Sequence, residues 1–393
     1  MNKLYLFVVC FIIFTANAFA KVDIDPSHIQ DLINSIQQNH HLPGVQVGIK
    51  DTETTQSWNF SSGLRDTKTL EPLENDHLMQ IGSITKSFVA SLALLVEADS
   101  ESGRLGIEFN IDQTIGHWLS QYPEWQSIKI ECLLNMTSGI YNYTNEESLY
   151  QTMVKDPQKI WSDNELVDLA YFHHPNLLFP SNTKFSYSNT NYIIVGMILE
   201  KVTGLPLETL FKKYIFEKYP EYFKHTTYSP KTYPSESIEN MAHGYAMHPD
   251  GHKELYGRDI TEINLSWAGA AGAIVSTAAD LVHWPDLLFS KNYLPKKQQE
   301  EFQSSVCIES EETYKLPADS ELKGYGLGIG RLYDPDCGYI WTHTGGTLGY
   351  HSIFFYIPKK SLVISIIVNQ IGPSIEGEET VVFILQQIIN NLL

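Results

Sequence analysis

The sequence is short of cysteine and of basic residues, and its body has no long apolar run. Among 393 residues there are 4 cysteines, and 27 Lys and Arg stand against 46 Asp and Glu, for a formal net charge of −19. Without clusters of Lys and Arg the chain cannot neutralise phosphates, so binding to nucleic acid or to anionic lipid is excluded. With 43% hydrophobic and 19% charged residues, the composition is that of a globular protein.

The first twenty residues have the pattern of a signal peptide. Lys3 precedes the apolar stretch 4–14, and an Ala-Phe-Ala sequence ends at Ala20. A membrane span needs about 20 apolar residues, so this stretch is too short to serve as one. We expect cleavage after Ala20 and export to the periplasm or the extracellular space, with no membrane span afterwards. An uncleaved anchor is the alternative.

The three cysteines of the mature chain are predicted to carry no chemistry. An oxidising compartment allows at most one disulfide among them, and Cys307 with Cys337 is the expected pair. Cys132 lies in the apolar run 130–134, which is typical of a buried side chain.

Hydrophobic periodicity places strands at both ends of the chain and helices in the middle. Strands are predicted at 45–49, 57–61, 325–332, 350–356 and 362–368, and helices at 27–38, from about 83, at 192–202, from 278 and at 380–393. This α/β pattern predicts one sheet built from N- and C-terminal segments, with a helical lobe inserted. We expect a single catalytic domain over 21–393, with a sheet lobe at about 25–82 and 255–393 and a helical lobe at about 83–254. The turn-rich stretch 219–259 is predicted to be a surface loop.

The tetrapeptide Ser-Ile-Thr-Lys at 83–86 is the first motif suited to catalysis. A serine hydroxyl needs a base, and a spacing of three on a helix puts Ser83 and Lys86 within hydrogen-bonding reach. The preceding Gly82 leaves room for a substrate, and a helix N-terminus offers N–H groups to an oxyanion. Ser-x-x-Lys also occurs at Ser181 and Ser320, but neither opens an apolar helix. The alternative is a plain N-cap serine beside a solvated lysine.

Two later segments could complete such a site. Tyr187 can relay a proton and Asn189 can orient a substrate through its amide, although the same Tyr-x-Asn pattern recurs at 143–145. The segment 341–346 reads as a strand whose glycines would let backbone N–H groups face a ligand. The alternatives are a half-buried tyrosine and an edge strand with an incidental His343.

Other clusters of residues in the sequence give weaker evidence of function. His243, His248 and His252 could suggest a metal site, but they fall in a loop with Pro and Gly, where exposed histidines are the ordinary interpretation. The chain contains neither His-Glu-x-x-His nor the Gly-x-Ser-x-Gly elbow of α/β-hydrolases. No metal and no cofactor is therefore predicted.

Taken in order, the three motifs resemble the hallmarks of the serine β-lactamase and penicillin-recognising DD-peptidase family: Ser-x-x-Lys, Tyr-x-Asn and a Lys/His-Thr-Gly strand. Further stretches similar to the family lie at 133–140, 185–192, 271–280, 325–328 and 345–350, so the likeness covers about 25–393. Met136 stands where the family usually has histidine. The resemblance implies a β-lactamase/transpeptidase-like fold, in which helices flank an antiparallel sheet.

The resemblance also implies roles for individual residues. Ser83 attacks a carbonyl, Lys86 accepts the proton of the serine, and Tyr187 passes a proton to the leaving amine. The substrate would be held by Asn189 on its acyl side and by the triplet His343, Thr344 and Gly345 on its leaving-group side. The oxyanion would lie between the backbone N–H groups of Ser83 and Gly346. Whether Lys86 or Tyr187 is the general base stays open.

The variant of the motifs narrows the implied activity. Tyr-Ser-Asn with His-Thr-Gly is similar to the DD-carboxypeptidase and esterase side of the class C-like branch, whose β-lactamases usually carry Lys-Thr-Gly. A largely neutral His343 offers little fixed charge to a substrate carboxylate. The resemblance therefore implies a secreted serine hydrolase with an acyl-enzyme, acting first on D-Ala-D-Ala peptide ends. A β-lactamase or small-ester esterase is the alternative, and a non-catalytic binder of cell-wall peptide or of a protein is another.

Overall fold

A computed structural model describes residues 24–248, 253–290 and 293–392 of the chain. The predicted signal peptide and His252 lie outside these ranges. The helices are α1 (Pro26–Asn39), α2 (Thr85–Glu101), α3 (Ile115–Trp118), α4 (Ile130–Leu134), α5 (Glu147–Lys155), α6 (Asp163–Tyr171), α7 (Asn189–Thr203), α8 (Leu207–Phe211), α9 (Ser235–Glu239), α10 (Gly269–Gly272), α11 (Ala278–Leu281), α12 (His283–Pro285), α13 (Lys296–Gln303) and α14 (Thr380–Leu392). The strands are β1 (Gly44–Asp51), β2 (Ser57–Asp66), β3 (Glu71–Pro72), β4 (Met79–Gln80), β5 (Thr227–Tyr228), β6 (Tyr245–Ala246), β7 (Arg258–Asp259), β8 (Ile274–Ser276), β9 (Val306–Cys307), β10 (Gly324–Tyr325), β11 (Gly330–Asp334), β12 (Gly338–Gly346), β13 (His351–Ile357), β14 (Leu362–Val368) and β15 (Gln370–Ile371).

The main sheet joins the two ends of the chain. Within the described ranges its strand order is β3-β2-β1-β14-β13-β12-β11-β10-β9, and its neighbouring strands run antiparallel. The N-terminal strand β1 lies beside the C-terminal strand β14, with Val47 opposite Ile366. The prediction of one antiparallel sheet built from both ends is therefore confirmed.

Helices cover both faces of this sheet. On one face, α1 and α14 pack in a core with Ile364 and Ile366 of β14, while Val363 and Ile367 of the same strand enter a second core with α2 and α7. Side chains alternate across a strand, so a strand covered on both faces reads as a continuous apolar run. Among the helices in these ranges, none has both the length and the apolar character that crossing a membrane requires.

The strand predicted at 325–332 is instead a tight hairpin. β10 and β11 pair antiparallel, with Tyr325 opposite Gly330, and the N–H of Gly326 donates to the carbonyl of Ile329 at 2.7 Å. Gly328 turns the chain with φ +73°, and a Cβ there would meet the carbonyl oxygen of Lys86 at 2.6 Å. The alternating glycines therefore serve a turn that lies against α2, and the prediction of a straight strand is wrong.

Two further predictions are corrected. The stretch 219–259 is not only surface loop, because β5 joins β8 and β6 joins β15, burying Tyr228 and Tyr245. These strands are two residues long, too short for a periodic signal in the sequence.

The expected disulfide is absent, since Cys132, Cys307 and Cys337 are free and buried. Cys307 is on β9 and Cys337 is in the turn between β11 and β12, at least two strand spacings or about 10 Å away across the sheet, whereas a disulfide needs Cα atoms within about 7 Å.

Candidate active site

Ser83 lies in a 3-10 turn, Gly82–Ile84, directly before α2. The preceding strand β4 pairs with β8, and the N–H of Ile81 donates to the carbonyl of Ile274 at 3.1 Å. Ser83 is half-buried, whereas the first residues of α2 are buried. The turn thus leaves the serine at the surface of the core, while pairing with β8 fixes the start of α2.

Lys86 reaches this serine from the first turn of α2. Its side chain is fully buried, and Nζ donates to Oγ of Ser83 at 2.9 Å, to Oδ1 of Asn189 at 2.7 Å and to the carbonyl oxygen of Ala271 at 2.7 Å. Three acceptors thus match the three N–H bonds of an ammonium. Burial nevertheless holds the pKa of Lys86 well below its ordinary value, because removal from water disfavours the charged form.

Tyr187 lies over the same ammonium, with Nζ of Lys86 4.8 Å from the centre of its ring. Burial raises the pKa of the Tyr187 hydroxyl, and a hydrogen bond with Ser83 lowers it in part. The net shift is upward, so the phenol keeps its proton at neutral pH. Tyr187 therefore stands beside Ser83 as a proton donor rather than as a phenolate.

Asn189 is the first residue of α7, and both ends of its amide are engaged. Oδ1 accepts from Lys86, while Nδ2 donates to Oγ1 of Thr144 at 3.0 Å. Its backbone N–H donates to Oδ1 of Asn142 at 3.0 Å. The start of α7 is thereby tied to the turn that contains Asn142 and Thr144, and the amide oxygen is directed at Lys86.

His343 lies on β12, inside the sheet rather than at its edge, and its side chain has no exposed surface. Nδ1 is 2.6 Å from the carbonyl oxygen of Thr344, which can only accept, so Nδ1 carries the proton of the neutral ring. Nε2 then accepts from the hydroxyl of Tyr325 at 3.0 Å. Burial, together with the charge of Lys86, lowers the pKa of His343 to about 3. The imidazole is therefore uncharged, while the adjacent Thr344 is half-buried.

Glycines let β12 lie directly against the serine turn. A Cβ on Gly345 would come within 2.0 Å of the carbonyl oxygen of Ile81, and a Cβ on Gly82 would lie 2.7 Å from the backbone nitrogen of Gly346. Gly82 also has φ +50°, which a side chain would strain. These contacts bring the backbone of Ser83 and that of the exposed Gly346 together.

The structure thus gathers predicted residues from three distant segments: Ser83, Lys86, Tyr187, Asn189, His343, Thr344, Gly345 and Gly346. The other two Ser-x-x-Lys patterns lie outside helices, and Ser320 is in a turn region before β10. Sequence reasoning missed the carbonyl of Ala271, because a backbone acceptor has no side-chain signature. It also set aside Thr144, as part of a repeated Tyr-x-Asn pattern.

Comparison with known proteins identifies the family of this chain. The family model described as Beta-lactamase matches residues 29–386. Penicillin-binding protein 4* of Bacillus subtilis (strain 168) is 27% identical over 344 residues, which are 86% of this chain and 70% of that protein. A β-lactamase of Pseudomonas fluorescens is 21% identical over 88% of this chain and 94% of its own length.

Solved structures share the fold. A D-stereospecific amidohydrolase from Streptomyces sp. superposes with a TM-score of 0.71 at 25% identity, over 88% of this chain and 94% of that one. The D-amino acid amidase from Ochrobactrum anthropi SV3 gives a TM-score of 0.76 at 24% identity, over 93% and 98% of the two chains. With the family model spanning most of its length, the chain belongs to the β-lactamase family.

Proposed function

We propose that this protein is an exported serine hydrolase that forms an acyl-enzyme on Ser83. The observation that carries the proposal is the contact of the Ser83 hydroxyl with a buried lysine whose pKa is lowered. A plain N-cap serine would not need a desolvated amine beside it. Burial of an amine is costly unless its N–H groups find acceptors, and Lys86 has three.

The contacts of Lys86 support its role as the base. In the neutral amine two N–H bonds remain, and they donate to Asn189 Oδ1 and to the carbonyl of Ala271. The lone pair of Nζ is then left facing Oγ of Ser83. In the first step the proton moves from Oγ to Nζ while Oγ forms a bond to the substrate carbonyl carbon. The negative charge moves to the carbonyl oxygen, where N–H groups of Ser83 and Gly346 receive it; one such donor contributes roughly 2.7–4 kcal/mol.

Tyr187 completes the proton path. The pKa of Lys86 is lowered and that of Tyr187 is raised, which favours the lysine as base and the phenol as acid. As the tetrahedral intermediate collapses, the carbon–nitrogen or carbon–oxygen bond breaks, and Tyr187 gives its proton to the leaving group. The ammonium of Lys86 returns a proton to Tyr187. Water then attacks the ester carbon, and Ser83 leaves with the proton that the water gives up.

For the substrate we propose D-Ala-D-Ala peptide ends, cleaved as by a carboxypeptidase. Similarity to a penicillin-binding protein and to a D-stereospecific amidohydrolase supports an acyl group of D configuration. The buried, uncharged His343 presents no cation to a carboxylate, so neither a β-lactam nor a C-terminal D-alanine can form an ion pair with it. For a peptidase we expect a β-lactam to acylate Ser83 and leave slowly, while an esterase would turn over only small activated esters.

Intact-mass measurement after incubation with a panel of β-lactams tests the nucleophile. We expect a covalent adduct on the wild type that Ser83→Ala abolishes, together with release of D-alanine from a diacylated Lys-D-Ala-D-Ala peptide. Ser320→Ala is the matched control, because this serine belongs to another Ser-x-x-Lys pattern and lies outside any helix. Equal labelling of the Ser83→Ala variant would overturn the proposal. Absence of both adduct and D-alanine release, with p-nitrophenyl esters still cleaved, would move the substrate to small esters.

A further inference from the structure

Thr144 is in contact with Asn189, which in turn contacts Lys86. Oγ1 of Thr144 lies 3.0 Å from Nδ2 of Asn189, on the opposite end of the amide from the Lys86 contact at 2.7 Å. Thr144 is half-buried and belongs to the 3-10 turn Tyr143–Asn145. Its hydroxyl is thus two hydrogen bonds away from the nitrogen of the lysine.

The turn that carries Thr144 is held rigidly in place. Oδ1 of Asn142 accepts both the N–H of Thr144 and the N–H of Asn189, at 3.4 and 3.0 Å. The hydroxyl of Tyr150 donates to the carbonyl of Thr144 at 2.8 Å, and the hydroxyl of Tyr143 donates to the carbonyl of Trp267 at 2.6 Å. The position of Thr144 is therefore set by the start of α7 and by the segment that leads into α10.

The orientation of the Asn189 amide decides where Lys86 points. With Oδ1 toward Nζ, the lysine donates to the amide, and the lone pair of the neutral amine remains available to Ser83. With the amide reversed, two N–H bonds would face Nζ, and the neutral amine would accept from them instead of from Ser83. The charged form of Lys86 would lose one of its three acceptors.

We propose that Thr144 is a positioning residue for acylation, which holds the Asn189 amide with its oxygen toward Lys86 and thereby directs the lysine lone pair at Ser83. This inference rests on the proposed function of Ser83 and Lys86. Thr144 contacts no reacting atom, and its effect passes through Asn189. With Oγ1 of Thr144 in place the amide has a hydrogen bond at each end, whereas with a methyl group there only the Lys86 contact is left to orient it.

The proposal predicts a pH signature as well as a loss of rate. Removing the Oγ1 acceptor frees the amide to rotate, so that less of the enzyme has the lone pair directed at Ser83, and the acylation rate falls on the pH plateau. Because the ammonium also loses an acceptor, the pKa of Lys86 falls further, and the acid limb of the rate–pH profile moves to lower pH. Simple loosening of the fold would lower the rate without moving the limb in this direction.

Burst kinetics with p-nitrophenyl acetate, measured across pH, test this inference. For Thr144→Val, which keeps the shape and removes the hydroxyl, we expect a loss of about 10²-fold in acylation rate, with the acid limb at lower pH. Thr144→Ser should restore both rate and limb to within about threefold of the wild type. Thr152→Val is the matched control, since the hydroxyl of this half-buried residue donates at 2.8 Å to the carbonyl of Ser148 in its own helix.

The outcomes separate this inference from the proposed function. If Ser83→Ala gives the same burst as the wild type, the proposed function fails. If Ser83→Ala has no burst and folded Thr144→Val acylates like the wild type, or loses rate with an unmoved acid limb, only the role of Thr144 is overturned. Should Thr144→Val fail to fold, the acylation rate and the position of the acid limb are measured on Thr144→Ala instead, and the same outcomes apply.

Discussion

Substitution of Gly82 by alanine should disable the site without touching a side chain in it. A Cβ at position 82 would lie 2.7 Å from the backbone nitrogen of Gly346 and 2.8 Å from its carbonyl oxygen. Ordinary contact begins at 3.4 Å, so the turn and β12 would have to separate by about 0.7 Å. Productive oxyanion donors lie within a window of about 0.4 Å, between 2.7 and 3.1 Å, so the shift takes one N–H out of range.

The expected loss follows from that geometry. Removing one oxyanion donor costs about 2.7–4 kcal/mol in the transition state, or about 10²–10³ in rate. Gly82→Ala also places a side chain at φ +50°, which costs roughly 1–2 kcal/mol of folding free energy. A lower free energy of unfolding in Gly82→Ala therefore does not by itself show that an oxyanion donor has been lost.

Gly103→Ala separates the two effects. Gly103 also has a positive φ, of +74°, but a Cβ there would meet nothing within 4 Å. Urea unfolding should show the cost of a positive φ in both variants and a further loss in Gly82→Ala from the clash with Gly346, while burst kinetics with p-nitrophenyl acetate should show slow acylation only in Gly82→Ala. If folded Gly82→Ala acylates within threefold of Gly103→Ala, the assignment of the Gly346 N–H to the oxyanion is refuted.

Four further outcomes are expected. Lys86→Ala should acylate at least about 10³-fold more slowly, and near-normal acylation in this variant would contradict the role of Lys86 as the base. In the wild type the acid limb of the rate–pH profile should lie well below pH 10.5, since burial lowers the pKa of Lys86. Tyr187→Phe should slow amide cleavage by about 10²–10⁴ but p-nitrophenyl ester cleavage far less, because nitrophenolate leaves without a proton; equal losses on both substrates would argue against proton donation. Lys50→Met should lower the free energy of unfolding by about 3–5 kcal/mol in urea titration, because Lys50 and Asp286 form a buried ion pair at 3.0 Å; a loss below 1 kcal/mol would show that the pair contributes little. Thiol titration of the unfolded protein without residues 1–20, and without reductant, should count three cysteines, whereas one reactive thiol would indicate a disulfide among Cys132, Cys307 and Cys337.

Long or strongly patterned segments of the sequence were sufficient for much of the fold. The apolar run at 362–368 is the whole of β14, and Gly204 ends α7 in the left-handed conformation, as the Gly-Leu-Pro sequence indicates. Elements of two residues, such as β5 and β6, were not predictable, because they form only when a partner strand from elsewhere supplies their hydrogen bonds. The hairpin at 324–334 was predicted as one strand, because alternating glycines are compatible with a strand as well as with a turn.

The amino-acid sequence by itself determined which chemical groups the protein has and, through local helical spacing, that Ser83 and Lys86 meet. Only the tertiary structure decided what surrounds them: that Lys86 is buried, that Ala271 and Asn189 supply its acceptors, and that His343 is an uncharged residue inside the sheet. The physical reason is that pKa values and amide orientation depend on burial and on partners remote in the chain, which no local pattern encodes.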